Sequence, residues 1–286
     1  MSRLVVHADT ARAIAAFSGQ PGHALLLTGP PGSGKVSLAN QLAADILGLE
    51  TATLDSYPYL RRIEPVDGKT ISIETIRELE HFLSLRVPGQ QGINRLVIIE
   101  SSQLLSPEAQ NALLKTLEEP PLASLIIFTA TSQDALLPTI QSRMQTIVVK
   151  RPGLDALTKH FKDAGHSAAR ITQMQAISGG LPGLMAALLS DSEHPLIPAT
   201  QRARLLLQQS TFERLLSVDE LTKQKTLCRD VLFILTQMAQ LRLRATTGKD
   251  FERWTKILRA SYAATAALDA SAQPKLALTN LMLQLG

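Results

Sequence analysis

Short, nearly continuous apolar runs alternate with amphipathic stretches through the first 150 residues, the pattern of a parallel sheet flanked by helices. Four runs predict buried strands: ALLLTG at 24–29, RLVIIE at 95–100, SLIIFTAT at 124–131 and TIVVK at 146–150. Two helices are well marked between them. In ISIETIRELEHFLSLR, Ser72 is placed to cap, Ile71 and Ile76 to form a hydrophobic staple, and Ile76, Leu79 and Leu83 make a stripe. In SPEAQNALLKTLEEPP, Ser106 precedes Pro107 as an N-cap, and Pro120–Pro121 stop the helix. From Arg151 the strand patterns vanish. Residues 151–193 predict a small helical unit, a linker is expected in the proline-bearing DSEHPLIPAT (191–200), and 194–286 are helical, with a long amphipathic stretch through Leu227–Leu243. No internal repeat or low-complexity tract interrupts this order.

Composition narrows the class. With 45% apolar and 19% charged residues among 286, the chain suits a packed globular protein rather than a disordered one. No apolar run approaches the roughly 20 residues of a membrane span, and MSRLVVHADTARAIAAF lacks the apolar core and cleavage site of a secretory signal. A membrane partner is therefore not expected. Cys228, the one cysteine, has no internal partner and reads as a small core residue, and no Cys/His cluster has zinc spacing. A reducing cytoplasm fits. Charge is uneven: residues 1–194 carry a net −2 and residues 195–286 a net +6. The basic third suits a solvated helical face, with nucleic acid or an acidic partner as the alternative.

One stretch carries chemistry. ALLLT runs into GPPGSGKVS (29–37) and then into the helical pattern LANQLAADIL. A G-x-x-x-x-G-K sequence between a strand and a helix is a phosphate loop. Gly29, Gly32, Ser33 and Gly34 shape a turn whose N–H groups face phosphates, and Lys35 would neutralise them. The residue after the lysine should bring a hydroxyl to magnesium, and here it is Val36. Ser37 lies one residue on, about 100° round the helix, so its hydroxyl points elsewhere. An ATPase of this build also ends its acidic strand in Asp-Glu. This chain has Glu100 followed by Ser101, which is no base near neutral pH. Lys35 is then left either to touch nucleotide weakly or to pair with Glu100. ATP and magnesium are doubtful cofactors, and zinc is not expected.

Several stretches together resemble the bacterial DNA polymerase III clamp-loader family of AAA+ proteins, and within it the delta-prime type. SPEAQNALLKTLEEPP (106–121) is similar to the family's helix after the acidic strand. LLPTIQSRM (136–144) is similar to its L-x-T-I-x-S-R-C segment, and IEPVDGKTISIETIREL (63–79) and QPKLALTNLMLQL (273–285) also match. The resemblance implies an AAA+ phosphate-loop domain over 1–150, a helical lid over 151–193 and an all-α collar over 194–286 that assembles a ring. It implies motor subunits of the gamma/tau type and a delta subunit as partners, and contact with the sliding clamp and primer-template DNA through the complex. It makes Arg143 an arginine finger acting in trans, where the residues alone offer a cation capping a helix end. It makes Thr131 the residue that senses nucleotide after the fourth strand. The departures are informative. The family's zinc-binding cysteines are absent, Met144 stands for the cysteine after Arg143, and Pro182 aligns with a lid arginine. The expected protein is thus a non-hydrolysing, delta-prime-like subunit. The alternatives are an active gamma/tau-type ATPase and an AAA-like adaptor outside replication.

Overall fold

The computed structural model describes residues 4–66, 69–85, 92–191, 196–243, 246–270 and 272–285. They fall into two compact units, Met1–Pro152 and Gly153–Gly286.

In the first unit the described strands form one five-stranded parallel sheet. In chain order they are β1 (Ala24–Thr28), β2 (Leu60–Ile63), β3 (Arg95–Ile99), β4 (Ser124–Ala130) and β5 (Gln145–Val148), and across the sheet they run β2-β3-β4-β1-β5. The first strand therefore sits between the last two, with Leu26 opposite Phe128 on one side and Thr146 on the other. The central strands are buried along their whole length and mostly apolar, because both faces are covered. Leu26, Val97, Ile99, Ile126 and Phe128 pack one face with α3 (Ile73–Ser84) and α4 (Pro107–Glu118). Leu25, Leu27, Leu96, Ile98 and Ile127 pack the other with α1 (Ala8–Gly19) and α2 (Lys35–Leu47). Burying one such leucine or isoleucine contributes about 1.5–3 kcal/mol, so this double-sided layer anchors everything at its rim.

The four predicted strands are all present. β2 was not foreseen: LRRI is short, at the edge, and carries two arginines, so it has neither an apolar run nor alternation. Ser106 caps α4 by accepting from the Ala109 N–H at 3.1 Å, with Pro107 in the first turn. Ser72 occupies the N-cap of α3 but makes no capping bond to the backbone; its hydroxyl serves the Glu74 carboxylate instead. Ile71 and Ile76 are both buried where a staple requires them. A fully buried Thr10 ties α1 to the end of β5, donating to the Val148 carbonyl at 3.2 Å and accepting from the Lys150 N–H at 3.0 Å.

The second unit is helical in all its described elements. It comprises α6 (Leu154–Asp163), α7 (Ala168–Ser178), α8 (Pro182–Ser190), α9 (Leu196–Gln208), α10 (Thr211–Leu216), α11 (Val218–Lys223), α12 (Lys225–Leu243), α13 (Lys249–Asp269) and α14 (Pro274–Gln284), while α5 (Pro138–Gln141) belongs to the first unit. α12 is the hub, packing on α13, α9 and α7. Cys228, Val231 and Leu235 lie on its buried face. The expected linker over 191–200 needs correction. Its residues 192–195 lie outside the described set, and 196–200 are already the first turns of α9. Pro198 is admissible there because the first-turn N–H groups have no helical acceptor to lose. Among the described residues no helix is long and apolar enough to cross a membrane, and no cluster of His, Cys, Asp and Glu could hold a metal ion.

Candidate nucleotide site and arginine corner

The phosphate loop leaves the sheet where β1 ends. The Gly29 N–H donates to the Ala130 carbonyl, joining the loop's first residue to the end of β4. A side chain at Gly29 would stand 3.0 Å from the Val149 carbonyl oxygen and 3.1 Å from the Ser33 hydroxyl, so glycine is required by close approach. Gly34 is left-handed (φ 86°) at the N-cap of α2, which lets the loop enter the helix at a turn other residues take at a cost. The backbone of a phosphate cradle is thus formed.

The side chains around it are less complete. Lys35 is largely buried and turns back on its own loop, donating to the carbonyls of Gly29 (2.7 Å) and Pro30 (2.9 Å). Burial pushes its ammonium down to about 8. The alternative of a Lys35–Glu100 ion pair is not realised: no such bridge forms among the described residues, and no carboxylate is near enough to lift Lys35. Ser33 is buried and its hydroxyl has no partner. Val36 sits in the first turn of α2 with only methyl groups to offer, and Ser37 is exposed beside it.

Glu100 follows β3, its N–H bonded to the Ile63 carbonyl of β2 at 2.8 Å. Burial, then the neighbouring Glu64, push its carboxyl up, while Arg62 pulls it down. Arg62 was missed with β2. It is held by Asp55 (2.8 Å) and by Asn40 of α2 (2.7 Å), so it braces Glu100's surroundings against the helix that starts at the loop. Ser101 adopts a left-handed conformation (φ 50°, ψ 47°), with its N–H on the Thr129 hydroxyl at 3.1 Å. That geometry is a turn out of the strand. Thr131 lies exposed just past β4, its N–H donating to the Gln103 side chain at 3.3 Å. Pro182 is the first residue of α8 and brings no cation there.

Arg143 stands apart from this set. It follows α5, and its guanidinium donates to the Thr139 carbonyl (2.7 Å), the Ser142 hydroxyl (3.2 Å) and the carboxylate of Glu118 at the end of α4 (2.7 Å). None of these partners belongs to the phosphate loop. The bland expectation of a helix-end cation is met by the bond to Thr139, and it leaves the guanidinium about a third exposed. Glu118 is half exposed and is a partner of Arg143. The 25-residue separation between them gives no local pattern that would have announced it.

Residues 12–153 match the family model described as DNA polymerase III, delta subunit. The DNA polymerase III subunit delta' of Pseudomonas aeruginosa is 30% identical over 182 residues, covering 57% of this chain and 54% of that one. The delta' subunit of Escherichia coli K12 is 27% identical over 197 residues, covering 63% and 58%. A gamma/tau subunit of Mycobacterium tuberculosis is 28% identical over 151 residues, covering 48% and 26%. The chain spans about half the length of the curated delta' relatives it matches. A solved structure of a DNA polymerase III gamma subunit-related protein from Thermotoga maritima aligns with TM-score 0.53 at 20% identity, covering 96% of this chain and 98% of that one, which shows a common fold. The chain belongs to the DNA polymerase III clamp-loader family.

Proposed function

We propose that this chain is a delta-prime-type subunit of a cytoplasmic clamp loader, helping to place a sliding clamp on primer-template DNA without hydrolysing ATP in its own loop. One observation carries the reading. The loop has its backbone but no oxygen for magnesium at Val36 and no base at Ser101, while Arg143 is held by Thr139, Ser142 and Glu118, none of them in the loop. Phosphoryl transfer needs metal, an oriented water and cationic charge together. Here the first two have no side chain to supply them.

In this reading Arg143 acts on ATP held by a neighbouring gamma/tau-type motor. A guanidinium is planar, permanently charged and forked, which matches the oxygens of a transferring phosphoryl group better than an ammonium does. The lid over 151–193 and the collar over 194–286 would hold the chain in a ring with motor and delta subunits. The basic balance of the last third suits such contacts or DNA.

The test is a complex reconstituted with full-length chain. Arg143→Ala should assemble normally and lower clamp- and DNA-stimulated ATP turnover, while the isolated wild-type chain shows none above background. Full-rate turnover by the Arg143→Ala complex would remove the trans-acting role. Magnesium-dependent turnover by the isolated chain, abolished by Lys35→Ala, would favour an active gamma/tau-type motor instead.

A further inference from the structure

We propose that Glu118 is the positioning residue for Arg143, aiming its guanidinium before a neighbour's nucleotide arrives; this rests on Arg143 acting in trans. The geometry starts with two helices locked together. Leu113 and Leu117 of α4 and Ile140 of α5 share one buried cluster. The buried Gln110 side chain of α4 accepts from the Leu137 N–H at the entry to α5 (2.8 Å) and donates to the Leu105 carbonyl (3.2 Å). Glu118, the last residue of α4, is therefore on a fixed base relative to Arg143.

An arginine on a surface samples many rotamers, and its use in a transition state requires that freedom to be given up. Here one Arg143 nitrogen is taken by Thr139 and Ser142, and the other by Glu118. The first two acceptors are local and turn with the end of α5. Glu118 is the one acceptor from a second element, so it fixes the direction of the fork. Three of five donors are used, and two stay uncommitted for an incoming oxygen. A pair this exposed is screened and weak, so it orients the guanidinium without withholding it from a triphosphate.

The experiment uses the reconstituted complex, with the phosphate loops of the other motor subunits disabled so that the site facing this chain is read alone. Glu118→Ala should lower kcat roughly ten- to a hundredfold, as a misaimed group does, with KM for ATP nearly unchanged. Glu118→Gln keeps an accepting oxygen and should recover most of the rate. In an Arg143→Ala background, Glu118→Ala should have no further effect. The melting temperature of the chain serves as the control for folding. A wild-type rate for Glu118→Ala beside a crippled Arg143→Ala would overturn the positioning role and leave the trans-acting one intact. A further loss from Glu118→Ala on top of Arg143→Ala would also overturn it, since Glu118 would then act through something else. A full rate for Arg143→Ala alone would remove both.

Discussion

The phosphate loop and the Arg143 corner belong to the same unit, and in the proposed function they hold complementary halves of one chemistry. At the loop the main chain is in place: left-handed glycines, a helix N-terminus, a lysine. What is missing there is a hydroxyl at position 36, where Val36 stands. At the corner the side chain is everything, and its backbone is an ordinary short helix end. The difference teaches that a phosphate cradle persists for reasons of folding, because Gly29 and Gly34 are required by packing and turn geometry whether or not a nucleotide comes. An exposed arginine held by a carboxylate from another helix has no such obligation to the fold.

The sharpest way to break the comparison is to disable each region in turn within the full complex. Arg143→Ala should cost the neighbouring site on the order of 10³-fold in turnover, and Arg143→Lys should recover only part. Lys35→Ala should leave complex turnover within about twofold, since in the proposed function its loop supplies no transition-state contact. Equal losses from both would dissolve the distinction. A smaller effect comes from giving the loop back its oxygen. Val36→Thr should tighten magnesium-dependent nucleotide binding by roughly tenfold without producing turnover, because Ser101 still orients no water. Rapid hydrolysis by this single variant, in a phosphate-release assay, would show that the acidic strand is sufficient as it stands.

Smaller again is the dependence on pH. Burial sets the Lys35 ammonium to about 8 against its ordinary 10.5, so between pH 7 and 9 it passes from mostly charged to mostly neutral. Nucleotide affinity in a binding titration should weaken by roughly three- to tenfold over that interval, and Lys35→Met should flatten the profile. The stability contribution runs the other way. The unfolded chain holds this proton more tightly between pH 8 and 10.5, so the lysine's penalty on folding is fully present below 8 and is relieved as pH rises through that window. A last effect concerns the stability of the turn at Ser101. Ser101→Val should lose about 1–2 kcal/mol in chemical denaturation, because a β-branched residue resists the left-handed region. Ser101→Gly should lose little.

Much of the first unit was legible because a parallel sheet covered on both sides writes itself as apolar runs, and because Ser106–Pro107 and Pro120–Pro121 punctuate α4 in both sequence and space. The glycine spacing gave the loop for the same local reason. What escaped was non-local. β2 is identified by its register with β3, which no four-residue pattern reveals, and Arg62 and Glu64 went unnoticed with it. The turn of Lys35 onto its own carbonyls depends on how the loop folds back. The Glu118–Arg143 pair depends on how α4 and α5 dock, and side chains of this kind look solvated until the docking is known.

The place of β1 in the sheet sets a timetable. Both of its partners, β4 and β5, are synthesised after it, and the Thr10 hydroxyl of the preceding helix waits for Val148 and Lys150. At about 5–20 residues per second the ribosome needs on the order of ten seconds to supply them. Through that interval β1 has no neighbour to hydrogen-bond, and the glycine loop that follows it has no rigid strand to spring from. The cradle is therefore among the last parts of this unit to take shape during synthesis. A nascent chain halted shortly before residue 145 should leave the Gly29–Ser37 segment open to protease, and a chain extended until β5 has emerged from the ribosome should close it.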